Sequence, residues 1–305
     1  MSLLNNPGEI SHCSINGGGL VSAAGGGTTL FEMQAALIPD ESKFEYQSPQ
    51  KLARIVEKAF DSESADQYFL YFHGVVDRDF DVIEEELGRF QVRKGVRLTF
   101  ENALDAVIIR ITPGPEHVRV GKSLYIEIIA KIARIPGPIR RSVEPFGATL
   151  LQVPGVRSKE GDEGFGPNTR LGRSAWPSVM MEYGYSGGED FLRLDAQWWL
   201  INSAGRIRFV ILIFVAKNPL ALSIECWSMA ESGGPEPRQT SVCVPTCVNN
   251  FNIDPFGNVK SPMGSTELRI PYTYIFDQHQ RGAEDVVFSI DELTEFALRR
   301  YRMLK

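Results

Sequence analysis

Pro177-Ser178-Val179-Met180-Met181-Glu182-Tyr183-Gly184 places a lone carboxylate at the end of an apolar run. Residues 179–183 have the length and apolar content of a short buried strand. A carboxylate there is costly unless it is paired, hydrogen-bonded or metal-bound. Reading back, Lys159-Glu160-Gly161-Asp162-Glu163-Gly164-Phe165-Gly166-Pro167 offers a second candidate, Asp162, twenty residues before Glu182. Reading forward, residues 189–202 form a helix pattern. Residues 207–216 and 220–227 then read as two strands joined by the tight turn Lys217-Asn218-Pro219. Two carboxylates at the ends of adjacent strands can share Mg²⁺, a hard cation that takes oxygen ligands. Such an ion activates water and stabilises the charge developing on a phosphate.

Further out, residues 48–59 read as a helix, with Ser48-Pro49 as cap and first turn and Leu52, Ile55 and Val56 on one face. Residues 68–76, 96–100 and 106–111 read as strands, the last ending at the breaker Thr112-Pro113-Gly114-Pro115. Residues 117–132 form a helix in which Val120, Leu124, Ile128 and Ile132 recur every four positions. Residues 147–153 and 267–276 are further strand candidates. Ser289-Ile290-Asp291-Glu292 is a capping box opening a terminal helix. Helices and strands interspersed in this way predict an α/β fold with one central mixed sheet flanked by helices.

The 305 residues are 43% hydrophobic and 23% charged, enough to build a core. The net charge of −6 argues against a protein that coats nucleic acid with a broadly basic surface, though a local basic groove is compatible with it. Of the four cysteines, Cys243 and Cys247 are separated by three residues, which is not a paired zinc-ligand framework. Free thiols in a reducing compartment are the first expectation, with a disulfide or a metal site as the second. The first residues lack a basic and then apolar leader, and the densest apolar run, 209–216, is shorter than the ~20 residues that span a bilayer as a helix. The sequence therefore predicts a soluble protein of the cytoplasm or nucleus, neither secreted nor membrane-bound. The glycine triplets at 17–19 and 25–27 lack the preceding strand and following Gly-Lys-Ser/Thr of a phosphate loop, and predict a flexible tail.

Four segments in order carry a resemblance. They are Thr112-Pro113-Gly114-Pro115-Glu116-His117 between a strand and a helix; Lys159-Glu160-Gly161-Asp162-Glu163-Gly164-Phe165; residues 177–186; and Leu192-Arg193-Leu194-Asp195-Ala196-Gln197-Trp198-Trp199-Leu200 with the strand that follows. Together they are similar to a group of fungal proteins and, more distantly, to bacterial restriction endonucleases of the PD-(D/E)XK superfamily. The resemblance implies a restriction-endonuclease-like core and metal-dependent hydrolysis of nucleic-acid phosphodiesters, on DNA before RNA. It makes Asp162 and Glu182 the ligands of Mg²⁺ or Mn²⁺. The superfamily places a lysine two residues after the second carboxylate; Gly184 stands there, and Asp195-Ala196 in the next helix offers none. Lys159 is the remaining candidate to orient the attacking water. The departure at Gly184 opens a second expectation, a catalytically inactive nuclease fold used as a binding or interaction module. An unrelated α/β fold is the third.

Plainer roles compete at each position. Asp162 could be a turn residue beside glycines, and Glu182 could be salt-bridged to Arg193 or Arg206. Glu127 suits a solvated helix face, Trp198 and Trp199 suit the core, and Glu225 suits pairing across its strand. The implied organisation is a tail over 1–45, a nuclease-like core over 46–228, a loop or insertion over 229–265, and a C-terminal strand and helix over 266–305.

Overall fold

Alternation along single strands decides how the layers stack. In the computed structural model, which describes residues 28–61, 68–112, 116–135, 143–148, 150–153, 157–170, 172, 175–232, 242–277 and 282–302, the elements run as follows. The N-terminal half holds α1 (Leu30–Ala36), β1 (Lys43–Glu45), α2 (Pro49–Phe60), β2 (Tyr68–His73), α3 (Phe80–Arg89), β3 (Val96–Glu101), β4 (Ala106–Ile111), α4 (Glu116–Ile132), β5 (Val143–Pro145), β6 (Leu150–Val153), β7 (Arg157–Glu160) and β8 (Glu163–Pro167). The C-terminal half adds β9 (Val179–Tyr185), α5 (Glu189–Asn202), β10 (Phe209–Lys217), β11 (Leu220–Ser232), β12 (Val242–Ile253), β13 (Val259–Lys260), β14 (Glu267–Ile270), α6 (Tyr272–Ile275), β15 (Val286–Ser289) and α7 (Ile290–Tyr301). The protein is mixed α/β, as its sequence predicts.

The expected single sheet is instead two large sheets and a small two-stranded one. A six-stranded sheet runs β1-β2-β4-β3-β7-β6, a seven-stranded sheet runs β13-β12-β11-β10-β9-β8-β5, and β14 pairs with β15. After an earlier excursion into the second sheet at β5, the chain returns to the first for β6 and β7 and leaves it at Gly161-Asp162, between β7 and β8. Gly161 leaves room there for Met180: a Cβ would sit 2.5 Å from the Met180 sulfur and force that side chain to shift.

Strand β4 is buried on both faces. Its Val107, Ile109 and Ile111 join Leu98 and Phe100 of β3 and the apolar residues of α2 and α3 in one core. Ala106 and Ile108 turn the other way, toward Phe31 of α1 and Phe191 of α5. Arg110 follows them in the two-residue period of the strand, so it too points away from the first core. In the second sheet, Val179, Met181, Tyr183 and Tyr185 pack on α4 and α7, while Met180 packs on α5. Glu182 shares the face of Met180. Parallel β9 and β10, joined through α5, form the unit that aims Glu182 at the first sheet.

Two of the expected boundaries change. The stretch 28–45 contains α1 and β1 rather than tail, and the glycine triplets lie outside the described residues. Within the stretch 229–265, residues 229–232 and 242–253 are strand rather than loop: β11 extends to Ser232 and pairs along the whole length of β12, from Leu222↔Ile253 to Ser232↔Val242. Cys226 and Cys247 are free thiols, whereas Cys243 is disulfide-bonded, contrary to the first expectation for all four. Among the described residues no helix is long and apolar enough to cross a membrane.

Candidate functional site

The facing sides of the two sheets carry charge where most proteins carry aliphatic side chains. Register sets this up: Thr99 opposes Lys159 and Glu101 opposes Arg157 across β3 and β7, all turned away from the α2–α3 core. Arg110 rises beside them from β4. Asp162 enters from the crossing between the sheets, Glu182 from β9, and Asp195 from α5.

Arg110 is the centre. One of its nitrogens, Nη2, lies 2.8 Å from Asp162 Oδ2 and 2.9 Å from Glu182 Oε2. Its Nη1 is 3.9 Å from Asp195 Oδ2. The Arg97 Nε lies 2.9 Å from Asp162 Oδ1, and the Tyr183 backbone N–H donates to Asp162 Oδ2 at 2.8 Å. The Trp199 indole N–H donates to Glu182 Oε1 at 2.8 Å. Lys159 Nζ sits 2.6 Å from Asp195 Oδ1 and donates to Thr99 Oγ1 at 3.2 Å, while Gln34 of α1 donates to the same Asp195 oxygen at 2.5 Å. Arg157 and Glu101 form a neighbouring buried pair at 2.5 Å.

The structure thus brings Asp162 and Glu182 together, both on one guanidinium nitrogen. Lys159 is in the same cluster but is engaged by Asp195. Arg110, Arg97 and Lys159 balance Asp162, Glu182 and Asp195 charge for charge. Sequence reading missed Arg110 because it sits inside an apolar strand segment, Val107-Ile108-Ile109-Arg110-Ile111; that lone charge was itself the available signal. Neither alternative partner of Glu182 is used. Arg193 pairs with Glu225 at 2.6 Å and with Asp190 at 2.9 Å, and Arg206 lies 4.5 Å over the Trp176 ring. Glu225 therefore reaches a helix rather than across its strand. Glu127 is tied to Arg299 of α7 at 2.9 Å rather than simply solvated. Trp198 and Trp199 are buried edge to face, 4.9 Å apart, and cannot stack on bases. The side chains of Glu116 and His117, and the pair Arg140-Arg141, lie outside the described residues.

Burial dominates the electrostatics. It pushes the Glu182 carboxyl up to about 7, against the opposing pull of Arg110. Burial works against the Arg110 charge, but Asp162, Glu182 and Asp195 outweigh it and hold the guanidinium charged above its ordinary range. The Tyr183 phenol is pushed well above its ordinary value by burial and then by the charges of Asp162, Glu163 and Glu182.

These contacts test whether a divalent cation fits. Both oxygens of Asp162 and both of Glu182 already face donors: Arg97, Arg110, the Tyr183 amide and the Trp199 indole. A Mg²⁺ ion shared by the two would need the position held by Arg110 Nη2, because both require the same oxygens within bonding distance. Among the described residues no group of three or more His, Cys, Asp or Glu is placed to hold a metal. The donor set does not fit Mg²⁺ or Mn²⁺ with Arg110 in place.

Beside the cluster, a cleft of ≈ 850 Å³ opens between α3, α4 and the crossing of the sheets, with Asp162 and Tyr183 in its wall. No protein-family model matches the chain, and no curated protein matches it with significance. Fold and site define a class: a mixed α/β protein whose two sheets meet across a buried, charge-balanced cluster next to an open cleft.

Proposed function

We propose that this chain is a restriction-endonuclease-like fold whose catalytic centre is closed by an internal arginine, and that it serves as a binding or interaction module. One observation carries the reading: Arg110 Nη2 bridges Asp162 and Glu182 at 2.8 and 2.9 Å, where a catalytic cation would have to sit. Support for the fold comes from β9, α5 and β10 as a parallel strand-helix-strand unit, with the two carboxylates converging at its edge. Support for inactivity comes from two further residues. Gly184 carries no charge at the position of the expected lysine, and Lys159 is held by Asp195 and Thr99.

The second reading is a nuclease using Mg²⁺ or Mn²⁺ on Asp162 and Glu182, with Lys159 orienting water. The convergence of those two carboxylates favours it. Purified protein assayed with Mg²⁺ or Mn²⁺ on DNA and RNA, beside Asp162→Ala and Glu182→Ala, separates the two. The binding-module reading expects no cleavage above the variants and no Mn²⁺-dependent rise in melting temperature. Cleavage that disappears in Glu182→Ala overturns it.

A further inference from the structure

The cleft beside the charge cluster has a wall that its own residues leave incomplete. Six carboxylates line it: Asp81, Glu84 and Glu85 from α3, and Glu160, Asp162 and Glu163 from the crossing between the sheets. Three cations share it, Arg93, Arg97 and Lys122. Arg93 is bonded to Glu84 and Glu160, and Arg97 is paired with Asp162. Lys122, exposed on α4, acts on the Glu163 carboxylate, which also takes backbone hydrogen bonds at Gly164 and Gly147 and leaves only its Oε1 without a partner. The cleft therefore keeps an excess of negative charge.

Two polar atoms in that wall are buried and make no hydrogen bond among the described residues: Oε1 of Glu163 and the hydroxyl of Tyr183. Their residues are only 7% and 1% exposed. A buried polar atom without a partner costs free energy that a ligand can recover. The position of the Tyr183 ring is built into α4: at Gly121 a Cβ would fall 2.3 Å from the ring, so glycine is what lets the tyrosine lie there.

We propose that this cleft binds an organic cation, an ammonium or guanidinium group. Such a group brings N–H donors to the Glu163 carboxylate and the Tyr183 oxygen, and positive charge to a wall in which six carboxylates outnumber three cations. A phosphate or a nucleic-acid backbone would add charge of the wrong sign against six carboxylates. A bare metal ion would need three converging ligand side chains, which the described residues do not supply. The volume suits a small ligand or one side chain of a partner. The same chemistry is offered by a free polyamine and by an arginine or lysine in a peptide. The inference rests on the binding-module reading only in placing the ligand next to a closed catalytic centre.

Isothermal titration of the full chain tests it, with spermidine and arginine amide as free cations and a short arginine-containing peptide as the tethered one. Binding of at least one probe is expected. It should weaken with added salt and fall roughly tenfold or more in Glu163→Gln, with a smaller loss in Tyr183→Phe. Preference for the peptide assigns a protein partner; equal or better binding of spermidine assigns a free cation. No binding of any probe to folded protein, or binding unchanged in Glu163→Gln, overturns the proposal, as does an oligonucleotide that binds in a Lys122-dependent way while the cations do not. Metal-dependent cleavage, by contrast, would remove the binding-module reading and leave cation binding to be judged on its own titration.

Discussion

Glu182 shows what one buried carboxylate does to a fold. Its pKa is raised from 4.5 to about 7, so between those values the folded protein holds a proton that the unfolded chain has released. Stability then falls as pH rises through that window. At about 1.4 kcal/mol per pKa unit the Glu182 contribution to this fall is at most about 3–4 kcal/mol. Urea denaturation at a series of pH values should show a decline from pH 5 to 7.5 that is flatter in Glu182→Gln. An identical slope in the variant would assign the decline to other groups. The carboxylate and its neighbour Asp162 were legible in the sequence because apolar residues and glycines isolate them. Their partner was not, because Arg110 lies 72 positions before Glu182 and nothing local links the two.

Local signals succeeded for elements whose bonds are made within themselves. Ser289 accepts from the Glu292 N–H while Glu292 Oε2 accepts from the Ser289 N–H, so the capping box read from four residues stands at the start of α7. Leu293, Phe296 and Ala297 of that helix are buried in the main core. Replacing Ser289 with Ala should cost about 1 kcal/mol in chemical denaturation, and Ser289→Asp should retain most of it. A neutral Ala variant would mean that packing alone holds this terminus. Helix α3 was legible but unread: Phe80, Ile83 and Leu87 fall on one face. Strand β12 was not legible. Its proline, three asparagines and half-buried positions look like loop, and its hydrogen bonds come from β11 across the sheet.

At the scale of the molecule, Arg110 ties the sheets together: it belongs to the six-stranded sheet and its carboxylate Glu182 to the seven-stranded one. Buried ion pairs rarely add net stability, but removing one member leaves charge stranded. Arg110→Ala should therefore lower stability by about 3–5 kcal/mol near neutral pH, measured by urea unfolding. The loss should be smaller at pH 5, where Glu182 is protonated and less charge is left uncompensated. A loss of similar size at both pH values would show that packing, not charge, is what Arg110 supplies.

By itself the sequence determined the α/β class, most helices and strands, and two of the cluster's three carboxylates, Asp162 and Glu182. These follow from hydrophobic period, caps and turns, which act over a few residues. Only the tertiary structure decided that the strands divide between two sheets, that residues 242–253 form a strand, and that Arg110 stands between Asp162 and Glu182. The reason is physical. A side chain's local pattern reports which face it lies on, whereas its partner depends on which distant strand is brought against that face.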